Sequence, residues 1–191
     1  TTVKYFIITT VADTTLTVYG GTDYTLANAA ISAISYSSVK APQGFPLDPT
    51  KWTVRVTDSS SPSQAAPTAN VWYNLGSVSI NIPIGVWYVD YETTVYGYDT
   101  TAGNNIVQFK VTLSAANNSE TLTAMTAGFL AGDIPATTEG GATVSRGEVF
   151  SLATKDTYYL NYLTAQSGFN VIQSLSGSYG ATVIEAVCAY L

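Results

Sequence analysis

The sequence predicts an all-β, antiparallel β-sandwich of the jelly-roll class, on three observations. Strand-period alternation recurs from one end of the chain to the other without a sustained helical stripe. The composition suits pleated, half-buried surfaces, with 14 Tyr against 6 Phe and a polar remainder rich in Thr, Ser, Asn and Gly. Turn signals part the apolar runs into eight or more short strands, the spacing of a sandwich or jelly roll. All 191 residues are expected to form a single domain, a size at which roughly 70% of the unfolded surface can be buried.

Val3 to Thr10 and Thr14 to Tyr19 read as strands joined by a turn at Ala12-Asp13, with Gly20-Gly21 closing the second. Leu26 to Ile34 is Ala-rich and reads equally as a short helix or a strand. Lys51 to Thr57 alternates: Trp52, Val54 and Val56 are expected on a core face, Lys51, Thr53, Arg55 and Thr57 on a wet one. Asp58 to Pro67 has the composition of a surface loop. After Gly76, Val78, Ile80 and Ile82 point one way, until Pro83 ends the ladder. Trp87, Val89, Tyr91 and Val95 then share a face opposite Tyr88, Asp90, Glu92 and Tyr96. A turn at Thr101 to Asn104 leads into Val107 to Leu113, and these two strands are expected to form a hairpin. Further strands are expected at 149–152, 157–163, 169–175 and 182–191, with breaks at Gly140-Gly141 and Gly177 to Gly180.

A formal charge of -6, with the 7 Lys and Arg scattered singly, argues against nucleic acid and against an anionic membrane surface. No run approaches the roughly 18 apolar residues of a membrane helix, so no membrane insertion is expected. The chain begins Thr1-Thr2 rather than with Met, which reads as the C-terminal piece of a longer protein. Cys188 lies in an apolar run, where a small buried hydrophobe is the plain reading.

The stretch Gly76-Ser-Val78-Ser-Ile80-Asn-Ile82-Pro83-Ile-Gly85-Val-Trp87-Tyr-Val89-Asp-Tyr91 resembles the central strands of the C1q and tumour necrosis factor superfamily. There a strand runs through Pro-x-x-Gly into an aromatic-led strand at a jelly-roll corner. The closing segment, Ala181 to Leu191, is similar to that family's C-terminal strand, which lies centrally in the inner sheet. Phe45-Pro46 and Lys51-Trp52-Thr53 resemble the receptor-binding tips of phage tail fibres. The likeness covers residues 70–113 well and 149–191 loosely, and it lacks the collagen stalk and calcium cluster of the animal members. It implies a homotrimer around a threefold axis. Strands apolar on both faces point the same way, since Tyr88 and Tyr96 oppose the core residues of their strand, and Phe6 and Ile8 oppose Tyr5 and Ile7. Such strands lie between layers or under a partner, so Tyr88 and Tyr96 are assigned to the trimer interface.

With no histidine, the usual nucleophile triads and imidazole-zinc sites are ruled out, and no catalytic residue, metal or cofactor is expected. Asp90 and Glu92 project from one strand face, about 7 Å apart by strand rise, but the plain reading is a solvated face with Lys110 as cross-strand partner. Asp48, Asp58 and Asp133 read as loop acids without calcium-loop spacing. Asn117-Asn118-Ser119 fits a glycosylation sequon, a triplet common by chance. For ligand binding the candidates are Trp72, Tyr73, Tyr98 and Tyr179, aromatics at strand ends that stack on sugars or protein at little entropic cost.

The resemblance therefore implies a host-attachment head at the tip of a virion tail fibre, or a similar trimeric adhesin. Its partner would be a bacterial surface glycan or outer-membrane protein. The alternatives are a capsid or spore-surface jelly roll and a monomeric carbohydrate-binding module.

Overall fold

The computed structural model describes residues 6–19, 30, 32, 53–83, 85–98, 105–134 and 139–190. Alternation resolves there into thirteen strands with short 3-10 turns at Leu75–Ser77, Thr123–Met125 and Gly177–Tyr179, and no α-helix among the described residues. The strands are β1 (Ile7–Val11), β2 (Leu16–Tyr19), β3 (Thr53–Asp58), β4 (Ser63–Ala65), β5 (Trp72–Tyr73), β6 (Ser79–Ile82), β7 (Gly85–Tyr98) and β8 (Asn105–Ser114). They continue as β9 (Thr126–Ile134), β10 (Glu139–Leu152), β11 (Asp156–Thr164), β12 (Val171–Leu175) and β13 (Thr182–Tyr190). No described helix is long and apolar enough to cross a membrane.

Two antiparallel sheets make the sandwich. In the six-stranded sheet β7 pairs along its whole length with β10; its other edge pairs first with β13, which carries β3, and then with β12, which carries β4. In the five-stranded sheet β11 lies between β8 and the short strands β5 and β6, and β9 pairs beyond β8. The chain steps between sheets at 4→5, 6→7, 7→8, 9→10, 10→11 and 11→12, which is a jelly roll. β13 sits inside its sheet, between β3 and β7, as the C-terminal strand was expected to. Among the described residues β1 and β2 pair only with each other, as a two-stranded ribbon closed by Ala12 and Thr15.

The core lies where the two inner faces meet. Trp87, Val89, Tyr91 and Val95 come from β7, Phe109, Val111 and Leu113 from β8, Ile80 and Ile82 from β6, and Leu160 and Tyr162 from β11; all are fully buried. The Pro83–Gly85 corner works as its spacing predicts: β6 ends at Ile82 in one sheet, Gly85 takes a φ of +125°, and β7 starts in the other sheet with Trp87 pointing inward. Hydroxyls tie the layers at two places. Tyr91 Oη donates to the carbonyls of Val111 at 2.9 Å and Met125 at 3.0 Å. Where β12 and β13 part along β7, Thr93, Ser174 and Thr182 form a buried cluster with Tyr162 Oη, 3.0 Å from Thr93 Oγ1. Burial pushes both phenols above their ordinary range.

Several expectations need correction. β7 and β8 form no hairpin, because they belong to opposite sheets and face each other across the core. Gly140-Gly141 is no break but part of β10, paired with Gly97 and Tyr96, and a Cβ on Gly141 would fall 2.7 Å from the Val95 carbonyl oxygen. Glycine there allows close approach of two backbones rather than a turn. β9, with its small residues Ala127, Gly128 and Ala131, escapes the alternation rule altogether. Asp58 to Pro67 is not a free loop: it contains β4, Pro67 is buried, and Ser61 Oγ lies 2.6 Å from Ser176 Oγ. The ambiguous Leu26 to Ile34 segment, apart from residues 30 and 32, lies outside the described residues, as do Lys51, Trp52, Phe45, Pro46 and the Thr101 to Asn104 turn.

Candidate functional site

Strand register decides which side chains stand together on the outer face of the six-stranded sheet. Tyr88 pairs with Val149 of β10 on one side and with Val187 of β13 on the other, and Val187 pairs with Thr53 of β3. Facing strands lie about 4.8 Å apart, so Val149, Tyr88 and Val187 form one apolar row. Their exposures are 63%, 50% and 37%. Sequence reasoning found Tyr88 on this side but missed both valines, whose signal is their own alternation, Val149 against Phe150 and Val187 against Ala186.

The next row carries charge. Asp90 pairs with Glu185, and Glu185 with Arg55. Arg55 Nη1 donates to Glu185 Oε1 at 2.9 Å in a largely exposed pair, which is worth little in stability. Partial burial and then the neighbouring Glu185 raise the Asp90 carboxyl above its ordinary range, with Arg55 opposing and Glu92 adding. Lys110 is therefore not the partner of Asp90 and Glu92, because β8 lies in the other sheet. This row is a solvated acidic strip beside an apolar one, with Gly147 opposite Asp90 on β10.

Farther along β7, Tyr96 and Tyr98 stand on the same face, opposite Gly141 and Glu139 of β10 and beside Gln173 and Val171 of β12. Both are half-buried. Tyr179 is largely exposed in its 3-10 turn, which Thr94 Oγ1 holds by donating to the Tyr179 carbonyl at 3.4 Å. Tyr96 and Tyr98 thus stand together toward one end of the face, the Tyr179 turn lies against Thr94 of the same strand, and Tyr88 stands with the valines at the other end.

Trp72 and Tyr73 are not part of that group. They form β5 in the five-stranded sheet, paired with Leu163 and Tyr162. Tyr73 packs against the core and its oxygen accepts the Thr68 N–H at 2.9 Å, the role of a structural tyrosine. Trp72 stands half-buried on the outer side, in register with Leu163. That outer face is mostly roofed by the chain itself. Asn161, fully buried, donates to the carbonyls of Ala116 at 3.0 Å and Ser119 at 2.7 Å and accepts the Asn118 N–H at 3.1 Å. Asn118 Oδ1 in turn accepts the Asn74 N–H, and Ser114 Oγ accepts the N–H groups of Ala116 and Thr121. The 115–121 loop, sequon included, is thereby clamped over Thr112, Ser114 and Asn161.

Among the described residues no group of three His, Cys, Asp or Glu is placed to hold a metal ion. Asp58 is engaged locally, Oδ1 accepting both the N–H and hydroxyl of Ser60. Asp133 lies in strand β9 rather than a loop, and Asp48 is outside the described residues. Cys188 packs against the core, and its burial pushes the thiol up to about 11, the opposite of an activated nucleophile.

No family model and no curated relative matches the sequence. Among solved structures the chain is similar to the Eiger TNF of S. frugiperda at 13% identity and a TM-score of 0.37, covering 73% of this chain and 87% of that one. It is also similar to VP2 of infectious bursal disease virus in a subviral particle, at 15% identity and a TM-score of 0.33, covering 73% of this chain and 37% of that one. A structure of the Gx strain of that virus is similar at 14% identity and a TM-score of 0.33, over 84% of this chain and 46% of that one. The chain spans less than half the length of these two viral chains.

Proposed function

We propose that this chain is the receptor-binding head of a trimeric adhesin carried on a virion, of the phage tail-fibre kind, and not an enzyme. The observation that carries the reading is the bare outer face of the six-stranded sheet, where Val149, Tyr88 and Val187 line up in solvent. Single exposed apolar residues are ordinary; three in one cross-strand row, with half-buried Tyr96 on the same face, form a patch that a partner normally covers. Cyclic closure of identical copies is the common way to cover such a patch, and the resemblance to the C1q and tumour necrosis factor superfamily favours three. Tyr88 and Tyr96 then lie in or beside the interface.

Tyr98 and Tyr179 offer the aromatic area for a bacterial surface glycan or outer-membrane protein, with Trp72 on the opposite sheet as a separate contact. Three weak sites on one rigid head gain avidity without tight individual contacts. The head needs no metal or cofactor for this work.

The experiment is sedimentation of the purified chain followed by adhesion of the fluorescently labelled protein to bacterial cells. A trimer that decorates cells supports the reading. A larger closed shell without cell binding favours the capsid alternative, and a monomer that binds polysaccharide favours the carbohydrate-binding module.

A further inference from the structure

The outer face of the five-stranded sheet is roofed only in part, and the part left open is shaped. At Gly128 of β9, which lies so close to β8 that a Cβ would stand 2.9 Å from the Phe109 carbonyl oxygen and 3.3 Å from Lys110 Cγ, a notch opens between Thr126 and Leu130, and the facing residues on β8 are Lys110 and Gln108. These residues and Phe129 line a shallow cavity of about 210 Å³. Leu130 at its rim is 68% exposed. In the same cross-strand row Lys110 pairs with Leu163, and Leu163 with Trp72, so Trp72 stands two strands from Lys110, about 10 Å away by strand spacing. Leu163 between them is buried.

We propose that this row, from the Gly128 notch across Lys110 to Trp72, is a subsite for one acidic sugar unit of a longer glycan, a uronic or nonulosonic acid. The inference rests on the receptor-binding reading and gives the ligand a chemical class. The volume is below the roughly 300–1,000 Å³ of sites that engulf a whole small molecule, so it fits one unit of a polymer. The polar groups fit a carboxylated ring. Neither the Lys110 ammonium nor the Gln108 side-chain amide has a hydrogen-bond or ion-pair partner among the described residues, and both are half-buried beside the notch.

At the other end, Thr126 donates to Glu120. That carboxylate repels a second acid and orients the ligand's own carboxylate toward Lys110 and Gln108. The apolar side of a pyranose ring meets Leu130, the Phe129 ring being turned inward against Phe109, and a neighbouring sugar reaches Trp72. A chain of net charge -6 repels a polyanion, so the site selects an isolated acid over a sulfated polymer.

The test is an amide NMR titration of the intact protein with a hyaluronan tetrasaccharide and with 3′-sialyllactose, against cellotetraose and heparin as neutral and polyanionic controls. One acidic ligand or both should shift the amides of 108–110 and 126–130 and the indole of Trp72, with no comparable response to either control. Lys110→Met, which keeps the stem, should weaken binding about tenfold or more, while Lys110→Arg retains it. Both are surface changes, and unchanged melting temperatures show that the fold is intact. Equal binding by Lys110→Met, equal response to cellotetraose, preference for an acidic peptide, or no shift with either acidic sugar overturns the proposal. Cell adhesion separates the two readings. If wild type and Lys110→Met adhere alike, the receptor-binding head stands and this subsite falls; if acidic sugars bind at Lys110 but no cell is bound, the reverse holds.

Discussion

The outer face of the five-stranded sheet hides Asn161, Thr112 and Ser114 under a loop of its own chain, whereas the outer face of the six-stranded sheet leaves Tyr88, Val149 and Val187 in solvent. Both faces belong to strands whose inner sides are largely apolar, the Thr93, Ser174 and Thr182 cluster apart. The difference lies in what the chain supplies locally. Between β8 and β9 it spends eleven residues, 115–125, with Asn118 and Thr121 able to bond back to Asn161 and Ser114. Over β7 and its neighbours β10 and β13 no such cover is found among the described residues, and register lines the apolar side chains up instead. A face that a protein roofs itself is a matter of stability; a face left bare is a matter of association.

Breaking the roof should have the largest effect on stability. Asn161→Ala orphans the carbonyls of Ala116 and Ser119 and the N–H of Asn118, and is expected to cost roughly 3 kcal/mol in chemical denaturation, with faster amide exchange confined to 115–121. On the bare face the double change Tyr88→Ser with Val149→Lys should cost each folded chain under about 0.5 kcal/mol, since both side chains are half or more exposed, yet separate the copies in sedimentation.

A smaller effect sharpens the same contrast. Asp90 has a raised carboxyl in the folded state, so the native protein binds its proton more tightly than the unfolded chain does. Stability from this group is therefore present at low pH and lost as pH rises through the folded value. Asp90→Asn should raise the melting temperature slightly at pH 7, and the gain should vanish below the ordinary carboxyl value of 3.8. Least of all, Cys188 should resist alkylation by iodoacetamide at pH 8, because burial pushes its thiol up to about 11.

Side-chain facing was legible in the sequence and strand partnership was not. Val78, Ile80 and Ile82, then Trp87, Val89 and Tyr91, announced by alternation alone which way they point, and Pro83 with Gly85 announced the corner between them. Alternation says nothing of which strand lies alongside, so β7 and β8, adjacent in sequence, were expected to pair and instead face each other across the core. Glycine misled twice, marking close backbone approach at both Gly141 and Gly128 within strands that composition alone broke or missed. Of the candidate aromatics, Tyr88, Tyr96 and Tyr98 fall on one face as their spacing of two and eight residues requires. Tyr179 joins them only because the fork between β12 and β13 places its turn against Thr94. The Asn161 clamp was invisible beforehand, since its partners lie more than forty positions away in sequence.

Sedimentation equilibrium of the intact chain at micromolar concentration weighs the bare face most directly. Copies covering one another in threes give three times 20.2 kDa, reduced to one by Tyr88→Ser with Val149→Lys. A wild-type mass of 20.2 kDa at that concentration would mean that the row of Val149, Tyr88 and Val187 tolerates water unaided, and the trimeric head would be contradicted.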